Sequence, residues 1–224
     1  MSLITPPVVS KLNLSLAVIW LFHVCGAIGI IYGDANWFTE ATPLNLILCF
    51  MLLLFNLKIN TKTLITLLIC YTVGLSAEII GVNFGFLFGQ YQYGPTLGIK
   101  WMGVPLIIGI NWCLLVFICA TIASTFSKIL FQKACIGTFL MLFLDLLIEP
   151  VAPALDFWKF QEGIAGVHNY LGWAVVAFPL QIVFAKWNIK LDSQYSFHLY
   201  LLQSIFFILM MIRIYTLQET PSLN

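Results

Sequence analysis

Long, uninterrupted apolar runs constrain this chain more than any other feature. Stretches at about 14–32, 63–82, 103–123, 129–149, 168–186 and 195–215 each approach or exceed the roughly 17–20 residues that a helix needs to cross a bilayer's hydrocarbon core. A seventh run, at about 43–57, is shorter. Lipid offers the backbone no hydrogen-bond partner, so only segments that satisfy themselves survive there. The runs are continuously apolar where a membrane barrel strand would alternate. The expected fold is therefore all-α, a polytopic helical bundle of about seven transmembrane helices, forming a single transmembrane domain over residues 1–224. Composition agrees: 61% of the residues are apolar, 8% are charged, and mean hydropathy is +1.00.

Positive charge tests the span count, because short cytoplasmic loops collect lysine and arginine. In a seven-span arrangement Lys11, Lys58, Lys62, Lys128, Lys133, Lys186 and Lys190 fall on one side, while Lys100, Lys159 and Arg213 fall on the other. That bias predicts a cytoplasmic N-terminus and an external C-terminus in an integral protein of a bacterial inner (cell) membrane. The first run ends in Gly33-Asp34-Ala35-Asn36 without a small-x-small cleavage site, so it is expected to be retained as a span. A net charge of +1 suggests no nucleic-acid partner. Cysteines 25, 49, 70, 113, 119 and 135 all lie within the runs without a CxxC pair, and read as small packing residues. His23, His168 and His198 have no paired spacing, so no metal site is expected.

Two connections differ from the short basic linkers: about 83–102 and about 150–167. Both are rich in glycine, proline and aromatic residues, which suits ordered, partly inserted loops rather than tethers. They follow the third and fifth spans, so they must emerge on the same membrane face whatever the absolute orientation.

With few acidic residues, each can be weighed separately. Asp34, Glu40, Asp192 and Glu219 sit at helix ends or in loops and read as interfacial charge. Glu78, Asp145 and Glu149 lie inside or at the ends of apolar runs, where an ionised carboxylate costs roughly 2.5–3.5 kcal/mol, and such residues are functional candidates by default. Asp145 and Glu149 are four apart and share a helix face. Pro150 should push Glu149 toward extended geometry and end the helix there. Two adjacent carboxyls in low dielectric tend to share a proton, and a carboxylic acid kept neutral is what a general acid requires. The alternative is a structural polar pair bonded to neighbouring helices. Glu78 leads into Gly81, Gly85 and Gly89 at four-residue steps, a small-xxx-small pattern that also permits close helix packing.

Aromatic and amide residues accompany these acids. Tyr91 and Tyr93 fall on one side of an extended segment, with Asn83 upstream and Trp101 and Trp112 downstream. Asp156, Trp158, Asn169, Tyr170 and Trp173 repeat the mixture on the second loop and the helix after it, Tyr170 and Trp173 being three apart and so expected to face together. An interfacial aromatic belt explains the tyrosines and tryptophans equally well. The candidate set is thus Glu78, Asp145 and Glu149 as catalytic groups, with Asn83, Tyr91, Tyr93, Trp112, Asp156, Trp158, Asn169, Tyr170 and Trp173 against the substrate. Carboxyls and aromatics at one face, without phosphate-binding groups, suit an apolar substrate that arrives from lipid and reacts through a carbocation. One acid protonates the alkene, aromatic faces stabilise the cation, and a carboxylate takes the proton of the attacking water. Such a hydration needs no cofactor.

The segments Glu78 to Gly94, Leu97-Gly98, Gly103-Val-Pro105 and Asn111-Trp112, followed by Asp145-Leu-Leu-Ile-Glu-Pro-Val-Ala, Leu155-Asp-Phe-Trp158 and Asn169-Tyr170, resemble the carotenoid biosynthesis membrane-protein family over about residues 78–173. Its named members include hydratases of γ-carotene-like carotenoids and of bisanhydrobacterioruberin. Phe84, where a threonine is usual, and the approach Gly166-Val-His168, where a proline is common, depart from the pattern. The resemblance implies a hydro-lyase that adds water across the terminal C1′=C2′ bond of an acyclic carotenoid end group. It also implies a lipid-soluble carotenoid and membrane lipid as partners, with other carotenoid-pathway enzymes as candidates. A retinal protein would need a lysine within 195–215, which holds none. A prenyltransferase would need a denser aspartate cluster for magnesium. A non-enzymatic carotenoid-binding protein or transporter is the remaining alternative.

Overall fold

The structure is a computed structural model that describes residues 10–219; the side chains of Gln218 and Glu219 lie outside the described part. Its helices are α1 (Lys11–Tyr32), α2 (Ala35–Glu40), α3 (Thr42–Asn56), α4 (Thr61–Phe84), α5 (Ile107–Phe126), α6 (Leu130–Ile148), α7 (Val167–Trp187) and α8 (Ser193–Glu219). Among the described residues seven helical segments are long and apolar enough to cross a membrane, as the sequence predicts. The second is longer than the apolar run suggests. Helices α2 and α3 meet at Ala41 and together cover 22 residues, Ala35–Asn56, beginning at Asp34, whose side chain caps the Trp37 amide at 3.1 Å.

Helix α5 runs through the middle and packs on α3, α4, α6, α7 and α8. Its residues from Trp112 to Ala123 are buried without a break. In lipid the hydrophobic effect does not press helices together, so close van der Waals approach and interhelical hydrogen bonds must do so. Gly74 of α4 lies under the Trp112 ring and Gly109 of α5 lies under the Tyr71 ring, each leaving no room for a Cβ. Asn56 donates to the Ser15 hydroxyl at 2.7 Å, and the Tyr195 and Tyr200 hydroxyls donate to the Cys49 and Leu140 carbonyls at 2.6 and 3.0 Å.

The two glycine- and aromatic-rich loops do emerge on one face, and they pair with each other. Strand β1 (Tyr91–Tyr93) runs antiparallel to β4 (Trp158–Phe160), with Tyr91 opposite Phe160 and Tyr93 opposite Trp158. Between them, β2 (Lys100–Trp101) and β3 (Val104–Pro105) form a second small ribbon, so α5 starts at Ile107, four residues later than the apolar run does. The glycine series after Glu78 is not a helix-packing stripe. Gly81 accommodates Phe88 and Tyr91, Gly85 caps α4 at φ +65°, and Gly89 turns the chain at φ +90°. Left-handed backbone at Gly85 and Gly89 is what returns the chain over the end of its own helix. Glu149 also departs from expectation, keeping helical dihedrals (φ −53°, ψ −45°) with its amide on the Asp145 carbonyl at 3.0 Å. The helix itself ends there as expected, at Ile148, but the Val151 and Ala152 amides turn back onto the Ile148 carbonyl, which overrides the bias toward extended backbone that Pro150 imposes.

Candidate functional site

Period-two alternation in β1 and β4 turns one side of the ribbon toward the membrane interior. Tyr91, Tyr93, Trp158 and Phe160 project inward, while Gln92 and Lys159 face out. Beneath this aromatic cover the ends of α4, α5, α6 and α7 converge on a cavity of about 20 Å³, lined by all three candidate carboxylates. A space of that size admits roughly one water molecule.

Glu78 is 4% exposed and is held entirely by donors. Its Oε2 accepts from the Tyr91 hydroxyl at 2.5 Å and the Tyr93 hydroxyl at 2.8 Å, and its Oε1 accepts from Trp112 Nε1 at 3.0 Å. Burial, and after it the Glu78 carboxylate, pushes both tyrosines well above the usual phenol range, so they remain donors. Three donors on one buried carboxylate compensate for the water it has lost.

Asp145 and Glu149 are held by other means. The Asn169 side-chain amide donates to Asp145 Oδ2 at 2.8 Å and to Glu149 Oε1 at 3.3 Å, and Trp158 Nε1 donates to Glu149 Oε2 at 3.2 Å. The pair therefore shares one amide. Burial raises the Glu149 carboxyl to about 7, so near neutrality it exchanges between acid and carboxylate.

Aromatic rings close the remaining walls. Trp112 and Trp173 stack at 4.4 Å with 16° between their planes, and Phe88 meets Tyr91 and Trp173 at 6.2 and 6.3 Å. Rings in this arrangement present π faces and edges to the cavity, which suits a transient cation.

The structure brings together Glu78, Tyr91, Tyr93, Trp112, Asp145, Glu149, Trp158, Asn169 and Trp173. It leaves three candidates out. Asn83 braces the first loop by donating to the Ile79 and Met102 carbonyls at 2.8 and 2.9 Å. Asp156, at φ +54°, accepts from the Thr96 hydroxyl at 3.1 Å and ties the two loops. Tyr170 is not in the cavity wall; Asn169 and Trp173, four apart, are the pair that faces inward from α7. Sequence reasoning did not select Phe88, Ile108, Asn111 and Phe160, which also line the cavity. The Trp158-x-Phe160 alternation, read against Tyr91-x-Tyr93, was the available signal for Phe160.

A second and larger space adjoins the first. An apolar chamber of about 530 Å³ is bounded by α1, α2, α3, α5 and α8, and shares Ile108, Asn111 and Trp158 with the carboxylate cavity.

Among the described residues, seven apolar spans and a polar nest under an aromatic cover at one face define an integral membrane protein. Residues 41–223 match the family described as carotenoid biosynthesis protein, and the chain belongs to that family, with a role in carotenoid biosynthesis. The match extends well beyond the residues that carry the resemblance in the sequence. No curated protein and no solved structure matches the chain.

Proposed function

We propose that this protein is a cofactor-independent carotenoid hydratase, adding water across the terminal C1′=C2′ bond of an acyclic end group. The observation that carries this reading is the convergence of Glu78, Asp145 and Glu149 on a cavity sized for one water and walled by aromatic rings. In the proposed cycle the Glu149 acid gives its proton to the less substituted alkene carbon. The π electrons form the new C–H bond and leave a tertiary cation on the other carbon. Water attacks that carbon, forming the C–O bond, and Asp145 takes the released proton. The pair that shares the Asn169 amide ends with one proton, as it began, and transfer from Asp145 to Glu149 resets it. Atoms balance as alkene plus water giving tertiary alcohol, with no redox change.

Glu78 has a different part in this scheme. Held in one orientation by three donors, it turns its carboxyl oxygens toward the site of the developing cation, together with the Trp112 and Trp173 faces. Preorganised electrostatics of this kind are typically the largest contribution to a rate, with general acid catalysis adding about 10²–10⁴-fold.

The test is to express the chain in a bacterium that makes lycopene or γ-carotene and to analyse pigments by liquid chromatography and mass spectrometry. A product heavier by one water is expected. Pigments left unchanged, with protein present in the membrane and several acyclic-ended carotenoids supplied, would sink the hydratase reading and favour a carotenoid-binding or transport role.

A further inference from the structure

The carboxylate cavity is too small for an isoprenoid, so the substrate's body must lie elsewhere. The apolar chamber has the required properties. Its volume, about 530 Å³, falls within the roughly 300–1,000 Å³ of typical small-molecule sites. Its position is continuous with the site, since Asn111 and Trp158 stand in both walls and Trp158 is the residue that donates to Glu149. Asn111 makes no side-chain hydrogen bond among the described residues, so its amide is free to meet a polar group formed at this junction. The chamber also opens sideways. Phe22, Trp37 and Leu44 on its rim are 49%, 62% and 70% exposed, and all three belong to membrane-crossing segments, so the opening faces hydrocarbon.

We propose that this chamber is the docking site for the linear isoprenoid chain of the substrate, admitted laterally from lipid beside α1 and the α2–α3 segment. The proposal rests on the hydratase reading for the chemistry at its inner end. The reactive terminus lies against Asn111 and Trp158, and the rest of the polyene fills the chamber and extends past the rim into the bilayer. Only an end group slim enough to pass Ile108 reaches the carboxyls, so a cyclised end is turned away while an acyclic one is accepted.

Gly26 of α1 provides a direct test. It lines the chamber, and a Cβ built there meets no atom within 4 Å, so a larger side chain projects into open space without disturbing the helix. Full-length wild type, Gly26→Phe and Val24→Phe would be expressed in lycopene-producing cells and purified. Val24 is an exposed residue of the same helix outside the chamber. Pigment retained per protein is read by visible absorbance, and hydrated product by mass. Gly26→Phe should lower both by about tenfold or more, while Val24→Phe should match wild type. Gly26→Leu gives a graded version should the phenylalanine variant fail to reach the membrane. Retention and conversion by Gly26→Phe at the wild-type level would overturn the docking site while leaving the hydratase reading intact. Wild type that retains lycopene through Gly26 but never hydrates it would keep the site and remove the reaction. Wild type that does neither, with γ-carotene also supplied, overturns both.

Discussion

Glu78 and the Asp145–Glu149 pair border the same small cavity, yet the protein holds them in opposite ways. Glu78 receives a hydroxyl, a second hydroxyl and an indole N–H, each from a residue buried with it. The pair receives one divided amide and one indole from a loop residue. A carboxyl saturated with donors is fixed in place and orientation; a pair short of donors, close together and screened from water, is free to exchange a proton. The same side-chain chemistry thus gives one static and one mobile element, and the difference lies in the partners.

Breaking the mobile element should have the largest effect. Glu149→Gln removes the proton donor while retaining the volume and an acceptor for Trp158, and hydration should fall by about 10²–10⁴-fold with the protein still folded. Asp145→Asn should fall by a comparable factor, because the released proton then has no acceptor. Assays of hydrated pigment in membranes with matched protein levels check both. Retention of full activity by both variants would remove the pair from the chemistry.

The pH profile sharpens the contrast next. Glu149 acts as an acid, so its protonated form must be populated; that form dominates below about 7 and is lost above it. The rate should therefore fall by about tenfold per unit as pH rises beyond that point. Trp158 donates to the ionised form of Glu149, so Trp158→Phe should move the descending limb to higher pH. A limb that stays in place in this variant would mean that another group titrates.

Disturbing the static element should cost less rate and more stability. Tyr93→Phe removes one of three donors from a buried carboxylate and should cost about 1–3 kcal/mol of stability, read by thermal unfolding in detergent. The remaining two donors keep Glu78 in place, so the rate should fall only about tenfold, with the pH limb unmoved.

Much of this was legible in the chain. Apolar run length fixed the spans, because lipid leaves helix as the available solution for a continuous apolar segment. The cost of placing Glu78, Asp145 and Glu149 in such runs marked them individually. The parity of the spans placed both loops on one face. The pairing of those loops was not legible, because three-residue strands carry too little pattern and their register depends on where α4 and α6 end. For the same reason the sequence did not show that Asp156 ties the two loops together or that Asn83 secures the turn. Glu149 kept its helical turn because the residues after Pro150 found backbone partners that a local rule about proline does not anticipate.

The smallest predicted effect is the one that tests the boundary of the site. Tyr170 lies between Asn169 and Trp173 in sequence, but helical geometry rotates it about 100° from Asn169, and its hydroxyl has no hydrogen-bond partner among the described residues. Spacing three from Trp173 made the two seem to face together; the wall of the cavity takes Trp173 through its four-residue relation to Asn169 instead. Tyr170→Phe should therefore leave the hydration rate within about twofold of wild type and leave stability within about 0.5 kcal/mol, the range for a half-buried side chain that makes no hydrogen bond. A loss near that of Tyr93→Phe would show that the polar site extends around α7 beyond the cavity, and that the pair draws on a further hydroxyl for its proton.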